Sequence, residues 1–144
     1  MDYKRILVPV DGGAADEEAI QMACSFATKS KGQVYVLYVV EVPWRRPLDA
    51  EMELEVRKAE AVLDYMESLA KQQHCTVQTE VLQARAVGTA VVEEALARRI
   101  DLIVVNTAYE RHYGEFSLGR AAPYVLRNAP CHVWLYRGAM SNSR

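Results

Sequence analysis

The sequence predicts an α/β domain built on one open parallel sheet with helices on both faces. Five short apolar runs alternate with four helical patterns, in the order β-α-β-α-β-α-β-α-β. This alternation is typical of a single sheet with right-handed crossovers, because each parallel strand needs a helix to return the chain. The runs are apolar at consecutive positions, which indicates strands that are buried on both faces.

The predicted strands are short and rich in β-branched residues. They cover residues 6–10, 34–40, 76–82, 102–105 and 132–136. The third run differs from the others because Gln78, Thr79 and Glu80 place polar side chains within it. A mixed run of this kind predicts an edge strand, where part of the surface meets water.

Helices are predicted over residues 15–30, 49–73 and 121–128, with a shorter one before the fourth strand. Apolar residues at helical spacing mark three of them: Ala19, Ile20, Ala23, Phe26 and Ala27; Leu54, Ala61, Val62, Met66 and Leu69; and Val91, Val92, Ala95 and Leu96. The last helix is followed by Pro130, which acts as a stop signal.

Length and composition narrow the class of protein. The 144 residues fit one domain, predicted to span residues 1–138 with a flexible tail at 139–144. Lys and Arg total 17 against 19 for Asp and Glu, a balance that argues against a dedicated nucleic-acid binder. Three scattered cysteines favour a reducing compartment, and no apolar run approaches the roughly 20 residues of a membrane span. We therefore expect a cytoplasmic protein that does not insert directly into a membrane.

The loop after the first strand is one candidate binding element, because open α/β sheets bind ligands beyond the carboxyl ends of their strands. Its sequence, Asp11-Gly12-Gly13, lacks the three-glycine dinucleotide fingerprint and the Gly-Lys pair of a P-loop. The next helix opens with three acidic residues, which favour its dipole but would repel a phosphate. Two interpretations of Asp11 remain open, a contact to a ribose or base and a cap for the turn.

The long loop after the fourth strand is the better phosphate candidate. Arg120 opens the next helix. The loop before it supplies five polar residues and a glycine, namely Asn106, Thr107, Arg111, His112, Ser117 and Gly119. A helix N-terminus presents free N–H groups to an anion, and Arg120 would add a charge-assisted contact. The alternative is a solvated loop whose arginines lie in water.

Catalytic and metal-binding patterns are weaker. Ser117 lies one residue too late for the nucleophile-elbow spacing Gly-x-Ser-x-Gly, so a hydrolase is disfavoured. His74-Cys75 and Cys131-His132 are adjacent pairs, and adjacent side chains on a strand point to opposite faces. We therefore expect packed thiols rather than a zinc site.

A tryptophan and two arginines follow the second strand as Trp44-Arg45-Arg46. They form either a stacking and cation–π surface for a partner or a base, or a tryptophan packed over the end of the sheet. The residue types alone do not decide between the two.

Two blocks near the ends of the chain carry a resemblance to a known family. Residues 4–12 read Lys-Arg-Ile-Leu-Val-Pro-Val-Asp-Gly, and residues 129–133 read Ala-Pro-Cys-His-Val. With the run at 101–105 and the helix at 124–128, these blocks resemble the universal stress protein family from about Lys4 to Arg137. Pro9 is unusual inside a central strand, yet it stands where the family places a proline. The resemblance implies the strand order 3-2-1-4-5, a homodimer, and an adenine-nucleotide site in the ATP-binding branch.

The glycine signature of that branch, G-x2-G-x9-G-[ST], is only partly kept. In register, its four positions fall on Asn106, Tyr109, Gly119 and Arg120, and Gly119 alone matches. Glycine lets a backbone approach a ligand closely, whereas Tyr109 would project a ring over the phosphate channel. This departure from the signature argues against a triphosphate in the usual pose and is compatible with a monophosphate, with another anion beside Arg120, or with an empty site.

The adenosine half of the resembled site is better kept. Asp11 stands where the family's base- or ribose-contacting aspartate stands, and Val39 or Val40 falls near the position that lines the adenine pocket. Pro9 and Val10 belong to the same first-strand block and complete the candidate nucleotide-binding set. We assign no catalytic and no metal-binding residue.

These observations together predict a non-catalytic regulatory domain of the universal stress protein type. We expect a homodimer that senses an adenine nucleotide, with AMP or ATP as the candidate ligand and no required cofactor. The alternative is a domain of the same fold that acts without nucleotide, by dimerising or by docking to a protein partner or a transporter. A nucleotide hydrolase is disfavoured, because no general base or metal-ligand pair of recognisable spacing accompanies the phosphate loop.

Overall fold

The computed structural model describes residues 2–107, 111–112, 115–116 and 120–139, along which strands alternate with helices. The strands of the main sheet are β1 (Arg5–Val10), β2 (Gln33–Glu41), β3 (Val77–Ala84), β4 (Leu102–Thr107) and β5 (His132–Arg137). The helices are α1 (Asp16–Ser30), α2 (Glu53–Gln72), α3 (Val87–Ala97) and α4 (Ala121–Asn128). A two-residue antiparallel ladder pairs Arg111–His112 with Glu115–Phe116 between β4 and α4.

The main sheet is parallel throughout, in the order β3-β2-β1-β4-β5. The predicted fold class, the predicted strand order and the edge position of β3 are confirmed. The chain first runs outward from β1 to β3 and then crosses back to β4 and β5. The order therefore reverses at β1, and a crevice is expected between the carboxyl ends of β1 and β4.

Each face of the sheet has its own apolar core. On β1, Ile6 and Val8 pack towards α1 and α2, whereas Leu7 packs towards α3 and α4. All three side chains are at most 1% exposed, which confirms that this strand is buried on both faces. Strand residues alternate between the faces, so the position of a residue along its strand decides which pair of helices it meets.

Helix α2 begins later than the sequence predicts, at Glu53 rather than at residue 49. The residues before it form a turn in which the Ala50 N–H donates to the Pro47 carbonyl at 3.0 Å. The strands also run beyond their predicted ends; β3, for example, continues to Ala84. These boundaries depend on hydrogen bonds between residues that no apolar pattern marks.

Three residues assigned to the apolar helical stripes lie outside the core. Leu54 and Leu96 are 75% and 61% exposed, and Ala61 is also exposed. The buried stripe of α2 consists instead of Ala59, Leu63, Met66, Leu69 and Ala70. Among the described helices, none is both long enough and apolar enough to cross a bilayer.

Pro9 lies in the central strand at the point where β1 and β4 separate. β1 pairs with β4 at Ile6 and Leu7, whereas its pairing with β2 continues past Pro9. Beyond Leu7, the Pro9 carbonyl accepts a hydrogen bond from the side-chain amide of Asn106 at 3.1 Å. A proline is tolerated here because it lacks an N–H and the ladder towards β4 has already ended.

Candidate functional site

The loop after β1 is a tight turn held by its own aspartate. Asp11 Oδ1 accepts a hydrogen bond from the Gly13 N–H at 2.7 Å, and Gly12 has a φ of 87°. A positive φ suits glycine because it has no Cβ. The turn interpretation of Asp11 is thus confirmed, while its side chain remains exposed and accessible to a ligand.

Asp16, the first residue of α1, is a buried carboxylate behind this loop and is 1% exposed. Its Oδ2 accepts hydrogen bonds from the backbone N–H groups of Gly12 at 2.7 Å and Asp11 at 3.1 Å. Its Oδ1 is buried without a hydrogen-bond partner among the described residues. Burial, aided by the charge of Asp11, raises the pKa of Asp16 from 3.8 to about 6.

The three acidic residues at the start of α1 have two different roles. The sequence grouped Asp16 with Glu17 and Glu18 as residues that favour the helix dipole, but Asp16 faces inward. Glu17 and Glu18 are exposed and accept hydrogen bonds from the hydroxyls of Tyr65 and Tyr136. The Glu17 charge raises the pKa of Tyr65, and the hydrogen bond to Glu18 raises that of Tyr136.

A cavity of about 340 Å³ opens between the N-termini of α3 and α4, beyond the end of β2. Its walls include Glu41, Arg85, Arg120 and Tyr124. Glu41 lies two residues after Val39 and therefore on the same face of β2, which is the face covered by α3 and α4. The cavity therefore lies on the α3 and α4 side of the sheet, just beyond the carboxyl end of β2.

Arg85 is a fixed cation in the wall of this cavity. Its Nη1 donates to the carbonyls of Pro43, Arg46 and Val42 at 2.7, 2.8 and 3.3 Å. Its guanidinium carbon lies 4.7 Å from the ring centre of Trp44, a cation–π contact. Trp44 is 80% exposed, so the alternative of a tryptophan packed over the sheet is wrong.

The N-termini of α3 and α4 carry opposite charges at the cavity. Glu41 Oε1 accepts a hydrogen bond from the Val87 N–H at 3.3 Å, so a protein carboxylate already occupies the start of α3. Arg120 is the N-cap residue of α4, as the sequence predicts, and its side chain is exposed. An anion entering the cavity is therefore repelled at α3 and attracted at α4.

Comparison with known families decides which family this fold belongs to. The family model described as the universal stress protein family matches residues 2–137. The chain belongs to the universal stress protein family. It is 31% identical over 137 residues to universal stress protein MJ0531 of Methanocaldococcus jannaschii, a match that covers 91% of this chain and 80% of that protein.

Solved structures of universal stress proteins share the fold. The protein from Archaeoglobus fulgidus in complex with dAMP matches with a TM-score of 0.74 at 18% identity, over 94% of this chain and 98% of that one. A family protein from Arabidopsis thaliana with AMP bound matches with a TM-score of 0.70 at 14% identity, over 94% and 92% of the two chains. At these identities the likeness concerns the fold.

The predicted nucleotide-binding residues of this universal stress protein divide between the two faces of the sheet. Val39 belongs to the core under α3 and α4, whereas Val10 and Val40 belong to the core under α1 and α2. Because strand residues alternate between the two faces, Pro9 lies on the same face as Val39, and Asn106 lies on the same face as Val10. The structure thus brings Pro9 and Val39 to the face on which the cavity opens.

Several predicted residues of the phosphate loop lie outside the described residues. These are Tyr109, Ser117 and Gly119, together with residues 140–144 of the predicted tail. Arg111 and His112 are described only as backbone of the short ladder. Sequence reasoning missed Glu41, Arg85 and the burial of Asp16.

In the two His-Cys pairs, Cys75 is buried and His132 contacts Tyr3, whereas His74 is exposed. His132 Nδ1 lies 3.0 Å from the Tyr3 hydroxyl, and the two rings meet edge-on with centres 5.7 Å apart. Burial raises the pKa of the thiols of Cys24 and Cys131, which makes them poor nucleophiles. Within the described ranges, no three His, Cys, Asp or Glu side chains converge on a metal-sized site.

Proposed function

We propose that this universal stress protein is a non-catalytic, cytoplasmic regulatory domain that senses an adenine nucleotide at the carboxyl end of its sheet. The cavity of about 340 Å³ walled by Arg85 and Arg120 carries this proposal. Small-molecule sites are typically concave, with an apolar lining and a few convergent polar groups. Family proteins of the same fold from Archaeoglobus fulgidus and Arabidopsis thaliana are described with dAMP and with AMP.

The base of the nucleotide would lie against the sheet, and its phosphate would lie at the outer wall. Pro9 and the buried Val39 are apolar residues on the face of the sheet where the cavity opens, inward of its lining. Arg85 is held rigid by three backbone carbonyls, and Arg120 stands at the N-cap of α4. Two arginines suit one phosphate group, which supports AMP ahead of ATP; no other cofactor is required.

The carboxylates around the site support binding without catalysis. Asp11 Oδ1 accepts the Gly13 N–H, Asp16 Oδ2 accepts two loop N–H groups, and Glu41 accepts the Val87 N–H. A general base must reach the proton that it removes. These three side chains instead accept hydrogen bonds from backbone N–H groups and so hold the backbone in place.

We also propose a homodimer that forms through β5. This strand is an edge of the sheet, and its residues Trp134 and Leu135 are 45% and 39% exposed. An edge strand with exposed apolar side chains is a template for pairing with another chain. A second copy of this chain would cover both residues and continue the sheet.

A second candidate function is partner docking without nucleotide, to a protein partner or a transporter. The exposed Trp44 ring, stacked on Arg85, favours it, because tryptophan and arginine are enriched at interface hot spots. In this alternative the cavity stays empty. Nucleotide would then have no effect on the stability of the domain.

Thermal melting with adenosine, AMP, ADP and ATP tests the proposed function. A ligand at about 100 times its Kd stabilises the fold by about 2.7 kcal/mol, which raises the Tm by several degrees for a domain of this size. We expect AMP to give the largest shift and ATP incubated with the protein to remain unhydrolysed. No shift with any nucleotide supports the docking alternative, and a larger shift with ATP means that the phosphate loop admits a triphosphate.

A further inference from the structure

We propose that Asp16 is a positioning residue for the nucleotide, which holds the backbone of Asp11 and Gly12 in the binding geometry only while its carboxylate is ionised. The proposal rests on the proposed function, with the added premise that the exposed Asp11 contacts the ribose or base, as the family resemblance implies. Asp16 itself is 1% exposed and acts through the loop.

The hydrogen bonds of Asp16 run directly to the residue that would contact the ligand. Its Oδ2 receives the N–H of Asp11 at 3.1 Å and that of Gly12 at 2.7 Å. Asp11 Oδ1 in turn receives the Gly13 N–H at 2.7 Å, so the backbone held by Asp16 also sets the direction of the Asp11 side chain. Hydrogen bonds to an ionised acceptor are roughly twice as strong as those to a neutral one.

Asp16 also reaches the opposite wall of the crevice at the end of β4. The side-chain amide of Asn106 lowers the pKa of Asp16 as a nearby donor, although its hydrogen bond goes to the Pro9 carbonyl at 3.1 Å. Asp16 Oδ1 is left buried and without a partner among the described residues. The carboxylate therefore lies between the β1 loop and β4, the two elements between which the strand order predicts a crevice.

A buried carboxylate lowers folding stability, which is unexpected for a side chain whose only role is to hold a loop. Burial raises its pKa to about 6, so the ionised form is held at the expense of folding stability above that pH. A neutral side-chain oxygen could accept the same two N–H groups without that cost, but in hydrogen bonds about half as strong. A buried, strongly shifted carboxyl group beside a cleft is typical of a functional residue.

Three elements surround Asp16, and charged side chains near it come from two of them. Asp11, on the β1 loop, raises its pKa by charge repulsion. On α2, Lys58 lies beside Gly12, where both line a second cavity of about 350 Å³. The described end of β4 contributes the uncharged Asn106 and Thr107.

The neighbouring carboxylates of α1 bond to tyrosine hydroxyls rather than to the β1 loop, although Glu17 also lines the second cavity. Glu17 meets the Tyr65 hydroxyl on α2, and Glu18 meets the Tyr136 hydroxyl on β5. Both glutamates are exposed, in contrast to Asp16. A pH dependence near 6 that vanishes on neutralising position 16 therefore belongs to Asp16.

Calorimetric titration of cyclic AMP and of adenosine into the wild-type protein and Asp16→Asn, from pH 5 to pH 8, tests the proposal. These ligands avoid the second ionisation near pH 6 that a phosphate monoester brings. We expect wild-type affinity to be constant above pH 7 and about tenfold weaker at pH 5, because about one tenth of Asp16 is ionised there. Asp16→Asn should bind weakly and equally at every pH. The control Asp64→Asn, at an exposed position on α2, should behave as wild type.

Two outcomes overturn the proposal in distinguishable ways. Binding by wild type with a flat pH profile, or unchanged affinity in Asp16→Asn, overturns the assignment of Asp16 alone. No binding at any pH, with AMP included, overturns the proposed function and this inference with it.

A second measurement needs no ligand. The backbone amide resonances of Asp11 and Gly12 should titrate with a midpoint near pH 6 in the wild-type protein and not in Asp16→Asn. Amides that do not respond contradict the positioning role even when Asp16→Asn binds poorly. Spectra of Asp16→Asn also report directly whether that variant is folded.

Discussion

The Asn106 side-chain amide donates a hydrogen bond to the Pro9 carbonyl at 3.1 Å, across the gap where β1 and β4 have ceased to pair. Asn106 stands at the first glycine position of the resembled signature, and glycine has no side chain with which to make this bond. The asparagine thus links the two central strands by a side-chain hydrogen bond beyond the point where their pairing ends. The contribution of this bond can be measured as a free energy of unfolding.

Asn106→Ala should lower the free energy of unfolding by about 1 to 2 kcal/mol. The variant loses a hydrogen bond and leaves the half-buried Pro9 carbonyl without its donor. Urea unfolding measures the change. The matched control is Asn128→Ala, which removes an exposed amide bonded to the Tyr124 carbonyl at 2.9 Å and should cost less. Equal decreases in unfolding free energy in the two variants would show that the hydrogen bond from Asn106 to Pro9 stabilises the fold no more than an exposed hydrogen bond does.

Asp16→Asn should stabilise the fold at pH 7.5 and not at pH 4. The pKa of Asp16 is 3.8 in its ordinary state and about 6 in the fold, so between these values the native state binds more protons than the unfolded state. Wild-type stability contributed by this group is therefore fully present below pH 3.8 and is lost as pH rises through 6. The loss approaches about 3 kcal/mol.

Urea unfolding of both proteins at the two pH values checks this sign. Asparagine does not ionise, so the variant lacks the loss that wild type suffers above pH 6. A wild-type protein that is more stable than Asp16→Asn at pH 7.5 would contradict the raised pKa. Stabilisation combined with weaker nucleotide binding is the signature expected of a residue kept for function.

Arg120→Gln should weaken AMP binding by about 10- to 100-fold and leave adenosine binding unchanged. A hydrogen bond to a charged group contributes about 1.5 to 3 kcal/mol to binding. Adenosine has no phosphate, so its affinity does not depend on this bond. Parallel titrations of the two ligands measure the difference. Arg127→Gln, at an exposed position in the last turn of the same helix, carries the same charge change away from the cavity. An equal loss for adenosine would place the phosphate elsewhere.

Leu135→Glu should convert the proposed dimer into a monomer. A charge on the exposed apolar edge of β5 would be buried against a second copy without a partner. Sedimentation velocity over a range of protein concentrations measures the change in mass. Leu54→Glu places the same charge at another exposed leucine, on α2, and should leave the dimer intact. A wild-type protein that is monomeric throughout would rule out the β5 interface.

The fold was predictable because its signals are local. Consecutive apolar residues identified the buried strands β1, β2 and β4, and the polar residues Gln78, Thr79 and Glu80 identified β3 as an edge. The same apolar pattern wrongly predicted that β5 is buried, because β5 is the other edge and its residues are all half-buried or exposed. The start of α2 was not predictable to the residue, since the turn that precedes Glu53 is set by a hydrogen bond between Ala50 and Pro47.

The burial of Asp16 is visible in the helical spacing of the sequence. Asp16 precedes Ala19, Ile20 and Ala23 by three, four and seven residues, so helical periodicity places it on the buried stripe of α1. Its grouping with two exposed glutamates concealed this.

Arg85 had no comparable signal. It reaches the cavity because β3 pairs with β2 in the register that sets Ala84 opposite Glu41. The register is a property of the whole sheet, so no window of sequence around Arg85 contains it.

The sequence by itself determined the α/β class, the inventory of strands and helices, and the membership of a family, because hydrophobic periodicity and contiguous motifs are written along the chain. The tertiary structure alone decided which charges line the cavity and how they are held. Glu41 ends β2, Arg85 follows β3 and Arg120 comes after β4, so the three meet only when one sheet brings the carboxyl ends of these strands to the same edge. The raised pKa of Asp16 likewise exists only in the fold, because packing removes the water that would otherwise stabilise its charge.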